Sequence, residues 1–216
     1  MRATVHLARA WWLAGLLAAF LLLPGCNVAQ PDAQSNGITI DTSSYALPFD
    51  TPARMCHAPL VIDATIAALG ASRWNTPDGA RPANIVDPNT LVQQGYLIYT
   101  PLQLSSSHIY TDFRQQPTSV FATFGGRVGA DRYVVDGRPQ VVARQRYVLV
   151  LIPGIDVPAQ GQAPTWMAVA GAFPIDAQGI VTLRPAHSEG KGASAQQYPA
   201  VTMPLSQLTQ QLASCK

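Results

Sequence analysis

Apolar and polar residues alternate along most of this chain with a period of two, and that pattern predicts strands. Leu60, Ile62, Ala64, Ile66 and Ala68 fall on one face with Asp63 and Thr65 on the other. This reads as a half-buried strand, with a helix between Pro59 and Gly70 as the alternative. Residues 96–110 read as one long strand, or as two broken near Pro101, which lacks an N–H for the ladder. Val120, Ala122 and Phe124 alternate up to Gly125-Gly126, and Gly125-Gly126-Arg127-Val128-Gly129 reads as a turn between strands. Asp136-Gly137 between residues 132–135 and 138–142 is a hairpin signal. The run Tyr147-Val148-Leu149-Val150-Leu151-Ile152 has no polar side, so it is expected as a central strand buried on both faces, ended by Pro153-Gly154. Residues 165–173 and 180–183 predict a last hairpin around Asp176-Ala177-Gln178-Gly179.

The period shifts at the end. Leu205, Leu208 and Leu212 recur at helical spacing behind Pro204, which predicts an amphipathic helix with Cys215 on the same stripe. Trp74-Asn75-Thr76-Pro77-Asp78-Gly79 interrupts the alternation with turn chemistry and opens a long loop over residues 75–90. Seven or eight short strands and one terminal helix predict a mainly β fold: a small antiparallel barrel (OB-like) or a sandwich, with a C-terminal amphipathic helix.

Before the strands stands a different pattern. Arg2 and Arg9 precede a fourteen-residue apolar run over 10–23, too short for a membrane span of roughly 20 residues and suited to a signal peptide. The run closes on Leu23-Pro24-Gly25-Cys26, which resembles the lipobox of bacterial lipoproteins. That resemblance implies a leader over 1–25, a diacylglycerol thioether on Cys26 and an acylated new amino terminus, hence stable anchoring to a membrane on its extracytoplasmic face. Asn27, where an Asp would signal retention, permits outer-membrane sorting in a host with two membranes. Residues 26–44 are polar and turn-rich and read as the lipidated cysteine and a flexible tether, with a root-mean-square span of about 20–25 Å. Residues 45–216 then form a single β-rich domain.

Charge narrows the partners. Without Arg2 and Arg9 the chain has twelve basic and twelve acidic side chains, a balance that argues against nucleic acid, whose phosphates demand excess cations. One local asymmetry remains: Arg127, Arg132, Arg138, Arg144 and Arg146 face only Asp131 and Asp136 within residues 127–146. On paired strands these read as a solvated face, with an anionic surface partner as the other reading. With Cys26 committed to lipid, Cys56 and Cys215 make an even pair in an oxidising compartment, and a disulfide between them is expected. It would join the two ends of the domain and contribute about 5 kcal/mol in the chain-entropy view.

Catalytic patterns are sparse. There is no Gly-x-Ser-x-Gly, Walker loop or His-Glu-x-x-His. His57, His108 and His187 are not spaced as ligand pairs, so no metal or cofactor is assigned. Ser105, Ser106, Ser107 and His108 lie together, but neighbours on a strand face opposite sides. Around Val141-Val142-Ala143-Arg144-Gln145-Arg146-Tyr147-Val148-Leu149 the chain resembles the strand start of netrin-like domains, whose pattern is apolar-x-x-Gly-x-x-Tyr-Leu, with Arg144 in the glycine's place. These OB-fold barrels include tissue inhibitors of metalloproteinases, and the resemblance implies an OB barrel over residues 56–183. Their inhibition needs a free amino-terminal cysteine, which a lipidated Cys26 cannot supply.

Two functions follow as expectations. One is a lipid-anchored binding or scaffolding module for an envelope or extracellular protein, with no catalytic residues, using loops 74–90 and 154–165; Trp74, Asn75 and Asp78 are its candidate binding residues. The alternative is a hydrolase or metal-dependent enzyme with a site near His108 or His187 and Glu189.

Overall fold

The structure is a computed structural model and describes residues 37–43, 49–114, 120–157, 165–183 and 200–215. In chain order its elements are β1 (Thr39–Ser43), α1 (Pro52–Met55), β2 (Leu60–Leu69), β3 (Arg73–Trp74), α2 (Pro88–Gln93), β4 (Ile98–Asp112), β5 (Phe121–Phe124) and β6 (Gly126–Val128). There follow β7 (Asp131–Asp136), β8 (Arg146–Pro153), β9 (Met167–Pro174), β10 (Ile180–Leu183), β11 (Val201–Pro204) and α3 (Leu205–Ala213).

Five of these strands close a barrel. β2 pairs antiparallel with β4 on one side and β8 on the other, and β8 pairs antiparallel with β9. β9 runs parallel to β5, which returns antiparallel to β4. Counted along the chain, the order around the barrel is first, second, third, fifth, fourth and back to the first, a Greek-key closure of the OB-like kind. Of the two expected architectures the fold is therefore the barrel. Leu60, Ile62 and Ile66 of β2 meet Leu149 and Leu151 of β8 and Val169 of β9 in its interior.

The two central strands differ in how far their pattern revealed them. β8, apolar from Tyr147 to Ile152, is buried from Tyr147 to Leu151 as expected. β2 is a strand and no helix, but both of its faces are covered. Its outward Val61 packs with Val148 and Val150 of β8 beneath α1 and α3. α3 follows Pro204 and turns Leu208 and Leu212 into this outer core. Cys215 then meets Cys56 in a disulfide with the Cα atoms 5.3 Å apart, 159 residues apart in sequence. The bridge ties the end of the chain to the start of the barrel, the joint expected from the cysteine count.

A second, three-stranded sheet in the order β1-β7-β6 corrects two expectations. Residues 39–43, read as part of the tether, run parallel to β7, and Ile38 and Ile40 are buried against Trp74, Leu91 and Ile98. Two buried isoleucines outweigh the polar neighbours that made the segment look like linker. The hairpin expected at Asp136-Gly137 instead joins β6 to β7 around Gly129-Ala130, so part of the glycine-rich stretch is itself strand. Residues 138–142 carry no strand. There Arg138 folds back to donate to the Phe124 carbonyl, and Pro139 offers no N–H. The loop over 75–90 contains the start of α2, capped by Asp87, which accepts from the N–H of Thr90 at 2.8 Å. The last turn forms where expected, with Ile175 bridging Val181 and the Asp176 carboxylate accepting from the N–H groups of Gln178 and Ile180. Beyond it β10 pairs with β11, a strand the sequence pattern did not announce.

Candidate functional site

Two long connections leave the barrel, one over residues 70–97 between β2 and β4 and one between β8 and β9 that is described over residues 154–157 and 165–166. OB folds use these connections, with the face of their second and third strands, to hold ligands. Here the two loops meet at Asn75. Its Nδ2 donates to the carbonyls of Gly95 and Ile155, both at 2.9 Å, and its Oδ1 accepts from the N–H of Leu97 at 2.9 Å. The backbone adds a fourth link, Val157 N–H to the Asn75 carbonyl at 3.1 Å. Every polar atom of this buried amide is used, and one residue fixes both loops.

The second loop is stapled at its base. Asp156 accepts from the Thr165 N–H at 2.6 Å and from the Trp166 indole at 3.0 Å. Trp166 stacks on Tyr99 with ring centroids 4.5 Å apart and meets Phe124 edge-on at 5.6 Å. Gly154 lies flat against the indole, where a Cβ would come within 2.3 Å of the ring; no other residue fits. Arg73 sits 6.0 Å from the centre of the Tyr99 ring.

These aromatics occupy the outer face of β4 and β5, and they close it. Tyr99 is 8 % exposed and Ala122 fully buried, with Tyr133 of β7 packed on the same cluster. Exposure there is confined to the rim of the two loops, where Pro77, Asp78 and Ile155 are exposed. Asp78 is held as a carboxylate: the Ala80 N–H and the Thr76 hydroxyl, both donating at 3.0 Å, keep it below the usual carboxylate range.

The three candidate binding residues thus part company. Asp78 stands on the rim, whereas Trp74 and Asn75 are buried and act as framework, Trp74 in the core under β1 and Asn75 as the bolt between loops. Their polar and aromatic character suggested contact with a partner; burial redirects it inward. Asp156 and Trp166 escaped the sequence reading because only folding brings them into one hydrogen bond.

His108 is exposed on β4, directly opposite Asp63 of β2, with its ring 5.0 Å from that of Tyr110. Asp63, placed on the solvent face by the alternation, is only 6 % exposed. Its carboxylate accepts from Nε of Arg146 at 2.8 Å, from Nη2 of the same residue and from the Tyr110 hydroxyl at 3.3 Å. A carboxylate so engaged braces three barrel strands and is spoken for. His57 is exposed in the turn after α1, and Ser106 and Ser107 stand opposite Thr65 and Ala64. His187, Glu189 and Cys26 lie outside the described residues. Among the described residues no three His, Cys, Asp or Glu side chains gather as metal ligands. No family model, curated protein or solved structure matches this chain.

Proposed function

We propose that the chain is a lipid-anchored extracytoplasmic binding or scaffolding module, held to the membrane through Cys26 and engaging an envelope or extracellular protein with the rim of its two loops. The observation that carries this reading is the Asn75 junction, which makes one rigid surface out of two segments that begin 80 residues apart at their contact. A preorganised rim spares a partner the entropy of ordering loops. The Cys56–Cys215 bridge supports the extracytoplasmic half of the reading, since such bonds persist in oxidising compartments.

Site-specific photocrosslinkers at Asp78 and at Ile155, tested in host cells, should trap the same protein, and one at Arg54 in α1 should not. Trapping nothing at either rim position, or different proteins at each, would overturn the composite surface. The anchor has its own readout: labelled palmitate should enter the wild-type chain and be absent from Cys26→Ala.

A further inference from the structure

The fold disposes of two of the five arginines between residues 127 and 146. Arg146 is tied to Asp63, and Arg144 sits in the turn before β8. Arg127 and Arg132 remain, exposed, and the pairing of β6 with β7 sets them directly opposite each other. Side chains in that position stand about 5 Å apart at Cβ, where like charges repel. Among the described residues neither has a carboxylate within 4.0 Å; the ion pairs there use Arg54, Arg81, Arg114 and Arg146.

A third arginine of this stretch lies beside the start of β6. Arg138 sits against Gly125, two residues before Arg127, and donates to the Phe124 carbonyl, with no acid partner among the described residues. Burial pushes its pKa down from the ordinary arginine value. The sheet's inner face carries Ile38, Ile40 and Tyr133 into the core, which leaves Arg127 and Arg132 pointing outward. Asp41 and Asp136 share that outer face by alternation, and neither forms an ion pair among the described residues.

We infer that this arginine face docks on an anionic bilayer, its guanidiniums meeting lipid phosphates. The inference rests on the lipid anchor at Cys26. β1, whose Thr39 pairs with Arg132, is the first described element after that anchor. Residues 27–38 reach no further than about 40 Å in any conformation, so of the whole domain this sheet is tethered closest to the headgroups along the chain. A guanidinium fork matches phosphate oxygens, and each basic residue at an anionic surface raises partitioning roughly fivefold.

The test uses the chain from residue 27 onward without lipid, because all described elements and both bridged cysteines lie within residues 37–215. It should co-sediment with vesicles one-third phosphatidylglycerol and not with pure phosphatidylcholine. The double variant Arg127→Ala/Arg132→Ala should bind about 25-fold less, with an unchanged circular dichroism spectrum. A control of equal charge loss, Arg54→Ala/Arg144→Gly, should keep wild-type binding, and Asp41→Asn should increase it. Absence of wild-type binding, equal loss in the control, or binding of inorganic phosphate alone would overturn the inference. None of these outcomes touches the palmitate readout, so a failed face and a failed anchor are distinguishable.

Discussion

Arg144 shows how one residue can carry strain that the sequence only hints at. Its φ of 66° lies in the left-handed region, and it is the only non-glycine residue there among the described residues. Its N–H donates to Ile66 at 2.6 Å while Ile66 donates to Gln145 at 3.0 Å, so β2 pins the turn in that conformation. The left-handed region costs a side-chain-bearing residue about 1–2 kcal/mol. Arg144→Gly should therefore raise unfolding stability by about 1 kcal/mol after the glycine's extra chain entropy, read as a higher urea midpoint. The backbone here adopts the conformation that glycine favours.

Tyrosine burial acts at the same scale. Desolvation raises the phenol pKa of Tyr99 and Tyr110 above the ordinary value near 10. In the unfolded chain both ionise near that value, in the fold only above it, so above pH 10 the folded state holds more protons. Stability contributed by these phenols is thus complete below about pH 10 and falls as pH rises beyond it. Urea midpoints measured from pH 8 upward should be flat and then decline, and Tyr99→Phe should flatten the decline.

At the scale of elements, the two long loops are independent in sequence and joined in space by one amide. Asn75→Ala removes three hydrogen bonds, leaving the N–H of Leu97 unpaired in a buried site and the carbonyls of Gly95 and Ile155 unpaired in partly buried ones. The expected cost is about 3 kcal/mol. Amide exchange at Val157, which donates to the Asn75 carbonyl, should accelerate more than that at Leu149 in β8. Uniform acceleration at both would make Asn75 a general stabiliser and no bolt between loops. The elements themselves were legible to different degrees. β8 was plain because six successive apolar residues leave no solvent face. β1 was hidden because a five-residue strand with one inward isoleucine, Ile40, preceded by Ile38, looks like linker until β7 supplies the partner. The Asp136-Gly137 signal was real turn chemistry without a second strand to receive it, since Arg138 is held back at Phe124.

For the whole molecule the disulfide matters most. It closes a loop with a sequence separation of 159, which in the chain-entropy view contributes about 5 kcal/mol. Cys56→Ala/Cys215→Ala should lower thermal stability by that order, and reductant should do the same to the wild type while leaving the double variant unchanged. The same bond sets α3 over the outer face of β2 and β8, where Leu208 and Leu212 cover Val61 and Val148. The sequence could name the bridge because only two cysteines remained to be paired. It could not say that the helix would cover the outside of a barrel strand.

What the sequence by itself determined was local: which runs are strands, where turns fall, the terminal helix and its cysteine, and a mainly β architecture. Those follow from periodicity and backbone preference, which act between near neighbours. The tertiary structure alone decided closure over sandwich, because closure depends on β5 meeting β9 across 46 residues. It also decided the fate of the polar residues. Trp74, Asn75 and Asp63 were turned inward, Asp78 was left on the rim, and Arg127 was set against Arg132. Whether a side chain meets solvent, core or a like charge depends on elements distant in sequence, and no local pattern encodes that.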